Sequence, residues 1–145
     1  EKSDIIQIIN NVITRFKTTY PSYTITLKNK IPSFLYEVDV FHFEGAISNV
    51  LDNAIKYGDR EIQVATKETT TSFEVYIADN GQGIPKSYQT DIFEKFFRVP
   101  SGNLHDVKGF GIGLYYALNI ILKHNGTLEF LPQEPWTTFK ISLVK

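Results

Sequence analysis

Two runs of residues alternate apolar and polar on either side of a short polar break, and the second run stops at an acid. Ile62, Val64 and Thr66 alternate with Glu61, Gln63 and Ala65, while Phe73, Val75 and Ile77 alternate with Glu74, Tyr76 and Ala78, and Glu68 to Thr71 lie between. A period of two puts each apolar set on one face, so the pattern predicts a β-hairpin with one buried side, ending at Asp79. That side needs cover. Just upstream, from about Val40 to Tyr57, Phe43, Ile47, Val50, Leu51 and Ala54 recur at three-four spacing, the mark of a helix with one apolar stripe. Gly58 is placed to stop this helix.

The rest of the chain repeats the two periods. Ser3 is placed to cap a helix carrying Ile5, Ile9, Val12, Ile13 and Phe16, with Pro21 ending it. Residues 24–30 and 34–38 read as short strands. From Pro85 to Lys108 the period is lost, apart from Ile92, Phe93, Phe96 and Phe97, and a stretch of that length inside a compact unit is functional or mobile. Gly109 to Leu114 opens a third helix with Leu114, Ala117, Leu118, Ile121 and Leu122 on its stripe, closed by Gly126. "TLEFL" and "TTFKISLV" read as the last strands. The pattern predicts one α/β domain over residues 1–145, a two-layer sandwich in which helices cover one face of a single mixed sheet.

With 145 residues and 42% hydrophobic content, the chain holds enough apolar surface for one such core. Its net charge of -1 argues against a nucleic-acid partner. The absence of cysteine removes thiolate metal sites and a cysteine nucleophile. No stretch reaches about 18 uninterrupted apolar residues, and "EKSDIIQ" is too charged for a signal peptide, so no membrane contact is expected of this piece. Methionine is also absent, the initiator included, and the expectation is a piece of a longer protein.

Three stretches carry chemistry. On the helical wheel of "FEGAISNVLDNAIKYG", Asn49, Asn53 and Lys56 share a stripe away from the core. Amide oxygens are hard neutral ligands suited to Mg²⁺, and an ammonium beside them suits phosphates; a solvated polar face is the bland alternative. In "DNGQGI", Asp79 ends a strand where burial obliges it to find donors, such as an adenine exocyclic amine, while Gly81 and Gly83 let backbone pass close to a base. A tight turn explains the same letters. "GFGIGL" places Gly109, Gly111 and Gly113 before a helix, where unblocked amides form an anion site or the glycines serve as a hinge. Its spacing matches neither the dinucleotide fingerprint nor the P-loop.

Together and in this order, the stretches resemble the ATP-binding catalytic domain of sensor histidine kinases, in the superfamily that includes gyrase, Hsp90 and MutL-type ATPases. "NVLDNAIKYG" is similar to its N box, "DNGQGI" to its first glycine box, "IFEKFFR" to its F box and "GFGIGL" to its second glycine box, across about residues 43 to 130. The resemblance implies the Bergerat fold, a mostly antiparallel sheet under about three helices with an ATP lid. It implies ATP and Mg²⁺ as cofactors, with Asn53 the principal metal ligand and Asn49 beside it. Lys56 and Tyr57 would touch phosphates or nucleotide, Asp79 would hold adenine with Gly81 and Gly83 lining the base, and Ile84 would belong to the nucleotide-binding set. Gly109, Gly111 and Gly113 would wrap phosphates, and Lys108, Phe110, Ile112 and Leu114, with Phe93, would belong to the same nucleotide-binding set. Residues between Pro85 and Lys108 would form the lid, anchored by Phe93, Phe96 and Phe97, and Arg98 would reach the γ-phosphate. Thr137 would support the adenine end, although Trp136 stands where the family often has glycine.

In the ATPase relatives the position of Asn49 is acidic and activates water. A carboxamide takes no proton at neutral pH, which favours transfer over hydrolysis. The resemblance therefore implies a cytoplasmic protein-histidine kinase domain. Its γ-phosphoryl would go to a histidine on a dimerisation domain of the same protein, then to a response regulator, and the parent would be a homodimer. An anti-sigma-type serine/threonine kinase and another ATPase of the superfamily share the boxes and remain the alternatives. His42, His105 and His124 stand in no phosphoacceptor context and read as packing or surface residues.

Overall fold

This computed structural model describes residues 1–57, 59–81, 89, 91–94, 113–131 and 136–145. Among the described residues ten elements follow in order: β1 (Lys2–Asp4), α1 (Ile5–Thr19), β2 (Thr24–Lys28), β3 (Leu35–Glu37), α2 (Val40–Tyr57), β4 (Glu61–Glu68), β5 (Ser72–Asp79), α3 (Gly113–Lys123), β6 (Gly126–Leu131) and β7 (Thr137–Val144). Five strands form the main sheet in the order β2-β4-β5-β7-β6. β2 runs parallel to β4, and every other pair is antiparallel. The mixed, mostly antiparallel α/β sandwich is the one expected.

Cross-strand register explains the core. Val64 pairs with Ile77, and Ile77 with Phe139, while Val75 pairs with Ile141. Paired residues point to the same side of a sheet, so these side chains make one apolar floor, each at most 2% exposed. On it lie Phe43, Ile47, Val50 and Leu51 of α2, with Leu114, Ala117 and Ile121 of α3 beside them. The opposite side carries Glu74, Tyr76 and Lys140, joined by a 2.8 Å bond from the Tyr76 hydroxyl to Glu74 and a 3.3 Å ion pair from Lys140. Leu122, expected on the α3 stripe, is 52% exposed: Ile121 takes the inward position, and one residue further turns the side chain about 100° away.

The strand expected at residues 34–38 does not join the main sheet. Lys2–Asp4, unread as a strand, pairs with Leu35–Glu37 in a separate two-stranded sheet. This pairing also moves the cap of α1 from Ser3 to Asp4, because the ladder runs on through Asp4 opposite Leu35 and the helix starts only at Ile5. Asp4 Oδ1 accepts the Ile6 and Phe34 amides, both at 3.0 Å. The small sheet is stitched to the core by Phe34, whose ring stacks on Phe73 at 4.4 Å, and by the Tyr36 hydroxyl, set between the carbonyls of His124 and Val144.

His124 joins the two central helices. Its Nδ1 lies 2.7 Å from the Ile120 carbonyl, which only accepts, and its Nε2 accepts the Asp39 amide at 3.0 Å. These partners fix the neutral Nδ1–H tautomer. Next along the chain, Asn125 rather than Gly126 takes the left-handed turn that closes α3, at φ 59. Gly126 is needed for space, since a Cβ there would lie 2.5 Å from the Ser142 carbonyl oxygen.

Candidate functional site

The row Phe73, Val75, Ile77 along β5 continues with Asp79, so a carboxylate occupies the last place in an apolar file and is only 3% exposed. The Gly81 amide donates to Asp79 Oδ1 at 2.9 Å, the one backbone bond to this carboxylate among the described residues. Burial pushes the carboxyl up to about 6 against a smaller opposing pull from Gly81. Across the ladder, Thr137 pairs with Asp79 and is likewise buried.

α2 crosses this floor and carries the amide stripe. Asn49 and Asn53 are half-buried, and the Lys56 ammonium reaches back one turn to Asp52 at 3.0 Å, a partner that the sequence reading did not assign. Gly113, the first residue of α3, lies against Asn49: a Cβ there would sit 3.9 Å from both Cβ and Oδ1 of Asn49. The amide-bearing face of one helix and the N-terminus of another therefore meet. The unpaired amides of a helix N-terminus favour negative charge. Leu114 follows into the core.

Phe93 sits edge-on to Phe139 with ring centres 6.1 Å apart, next to buried Ile92. Phe139 is two residues beyond Thr137 on β7, so this aromatic anchor grips the floor near Asp79. Gly83, Ile84, Phe96, Phe97, Arg98, Lys108, Gly109, Phe110, Gly111 and Ile112 lie outside the described residues, as do Gly58, His105 and the Tyr57 side chain. Among the described residues no three His, Cys, Asp or Glu side chains gather as a metal cluster, and the oxygens on the α2 stripe are carboxamides.

Asn80 was read only as a turn letter. Its Oδ1 accepts the Asp59 amide at 3.3 Å and the Glu61 amide at 3.1 Å, tying the turn to the stretch after α2. The signal available was the habit of asparagine side chains to bond nearby backbone.

Residues 38–145 match the family model for histidine kinase-, DNA gyrase B-, and HSP90-like ATPases. The chain belongs to this family. Within this ATP-binding family the likeness runs to sensor histidine kinases. The sensor protein RprX of Bacteroides fragilis is 38% identical over 132 residues, 87% of this chain and 25% of its own length. This chain thus spans about a quarter of that curated relative. The mycobacterial sensor histidine kinase MprB superposes with a TM-score of 0.87 at 27% identity, covering 99% of this chain and 97% of that one. The histidine kinase ThkA, solved in complex with the response regulator protein TrrA, shares the fold at a TM-score of 0.81 and 19% identity, covering 100% of this chain and 41% of its own. No described helix is long and apolar enough to cross a membrane.

Proposed function

We propose that residues 1–145 form the ATP-Mg²⁺-binding catalytic domain of a two-component sensor histidine kinase. Asp79 carries the proposal. A lone carboxylate at the end of an apolar file keeps acceptor capacity beyond its bond to Gly81, and an adenine amine is a donor that matches it. Guanine presents a carbonyl at the equivalent place, so the same acid selects adenine.

The amide stripe fits the metal by the chemistry of its donors. Asn53 and Asn49 offer hard neutral oxygens that would hold Mg²⁺ together with nucleotide phosphates, and the ion would supply charge neutralisation there. Lys56 supplies an ammonium beside them, and Gly113 leaves the start of α3 bare against Asn49. Gly81 and Thr137 border the adenine end, with Leu114 and Phe93 as apolar walls. Tyr57, Gly83, Ile84 and the Lys108 to Ile112 stretch complete the binding set in this reading, and Arg98 approaches the γ-phosphate. These groups position the nucleotide and neutralise charge, the main demands of phosphoryl transfer.

Asn49 cannot accept a proton at neutral pH, so this chain by itself leaves water unactivated. The γ-phosphoryl would pass to a histidine on a dimerisation domain of the same protein and then to a response regulator, with the parent a homodimer and this domain its cytoplasmic portion. The likeness to sensor histidine kinases supports this order of transfer. The test is ATP turnover by this chain alone, followed by labelling of the whole parent with γ-labelled ATP. Background turnover with acid-labile, alkali-stable phosphate on the parent is expected. Sustained hydrolysis, or label on serine, would move the chain to an ATPase or an anti-sigma-type kinase.

A further inference from the structure

We infer that Asn80 is a positioning residue that sets the placement of Asp79 by clamping the chain around Arg60. This inference rests on the nucleotide reading above. Three bonds join Asn80 to the stretch after α2: its Oδ1 accepts the Asp59 and Glu61 amides, and its own amide donates to the Glu61 carbonyl at 3.2 Å. Between the two captured amides stands Arg60 at φ 73, one of two described non-glycine residues in the left-handed region.

The geometry explains that φ. A single carbonyl oxygen collects amides from residues two apart only if the chain curls around it, and the curl puts the middle residue in a region that L side chains disfavour. The Thr24 amide holds the Arg60 carbonyl at 2.8 Å from the β2 side, so the disfavoured peptide is fixed from two directions. On the other side of the same turn, Asp79 Oδ1 takes the Gly81 amide. Asp79 faces the core and Asn80 faces the strand entry, and together they fix the Asp79–Gly81 turn relative to the end of α2, where Lys56 stands.

Asp59 and Glu61 are exposed, so water replaces the amide bonds when the clamp is removed. Loss of Asn80 then appears chiefly as a displaced Asp79, in affinity rather than in folding. This split separates positioning from a merely structural role.

The experiment is calorimetric titration with ADP and Mg²⁺ at pH 8, with thermal melting, on the wild type, Asn80→Ala, Asn80→Asp, Arg60→Gly and the double variant Asn80→Ala/Arg60→Gly. Asn80→Ala is expected to bind about tenfold more weakly, equivalent to about 1.4 kcal/mol. Asn80→Asp keeps an acceptor for both amides and retains affinity to within about twofold, a difference of about 0.4 kcal/mol. Glycine takes the left-handed turn without a clamp, so the double variant recovers most of the lost affinity. An Asn80→Ala that binds like the wild type overturns the inference, as does a double variant no better than Asn80→Ala. If Asn80→Ala fails to fold, the double variant decides: folding with binding supports the clamp, and failure of either overturns it. A wild type that ignores ADP-Mg²⁺ sinks the nucleotide reading instead, a distinct result.

Discussion

Asp79 on β5 and Thr137 on β7 face each other across the sheet, both buried, where the apolar floor under the helices turns polar. A carboxylate there is unfavourable for folding, and it makes the chain's stability depend on pH in an unusual direction. Burial moves the Asp79 carboxyl from 3.8 up to about 6. Between these values the folded chain holds a proton that the unfolded chain has released, so stability falls as pH rises through this window. The difference is about 3 kcal/mol. Melting of the ligand-free protein from pH 4 to 7.5 is expected to show this contribution decline, and Asp79→Asn to abolish it and to be more stable than wild type at pH 7.5 by up to about 3 kcal/mol.

The same substitution weakens binding. Asp79→Asn removes a charged acceptor worth about 1.5 to 3 kcal/mol, so affinity for ADP-Mg²⁺ drops by about ten- to a hundredfold. In the wild type affinity also declines below about pH 6, as the carboxyl takes up its proton. Calorimetry at pH 5.5 and 7.5 on both proteins checks this, with the pH effect expected only in the wild type.

How much was legible beforehand depended on the range of the interaction. The hairpin, the floor residues and α2 followed from periods of two and 3.6, because burial on one face imposes them locally. β1 did not: three residues, Lys2–Asp4, are a strand only because Leu35–Glu37 lies beside them, a contact more than 30 positions away in sequence. That pairing displaced the cap from Ser3 to Asp4. Gly126 was recognised as special for the wrong reason, since the left-handed turn falls to Asn125 and the glycine answers to Ser142, on a strand not yet placed. At the candidate site Asp79 and Asn49 were readable as types at a spacing. The contact of Gly113 with Asn49 and the clamp of Asn80 on Arg60 are tertiary and carried no periodic signal.

Asn53→Ala separates metal from nucleotide. With chelator present, the variant and the wild type are expected to bind ADP alike. With Mg²⁺ the wild type gains affinity and the variant falls behind by about tenfold, or about 1.4 kcal/mol. Titrations with and without the ion measure the difference, and an equal Mg²⁺ effect in both proteins would remove Asn53 from the metal site.

Gly126→Ala tests packing away from the site. Its Cβ would meet the Ser142 carbonyl oxygen at 2.5 Å, and Ile121 and Leu143 at 2.9 Å. Backbone on β7 has to shift, at about 1 to 3 kcal/mol. Urea unfolding is expected to show a lower midpoint with an unchanged slope.

The central claim is that separated segments converge on one adenosine polyphosphate with its divalent ion. Calorimetric titration of this chain with ATP and Mg²⁺ tests it most directly. One site per chain is expected, with a rise in melting temperature corresponding to about 2.7 kcal/mol at a hundred times the dissociation constant. Absence of both heat and thermal shift across millimolar nucleotide with Mg²⁺ present would contradict it.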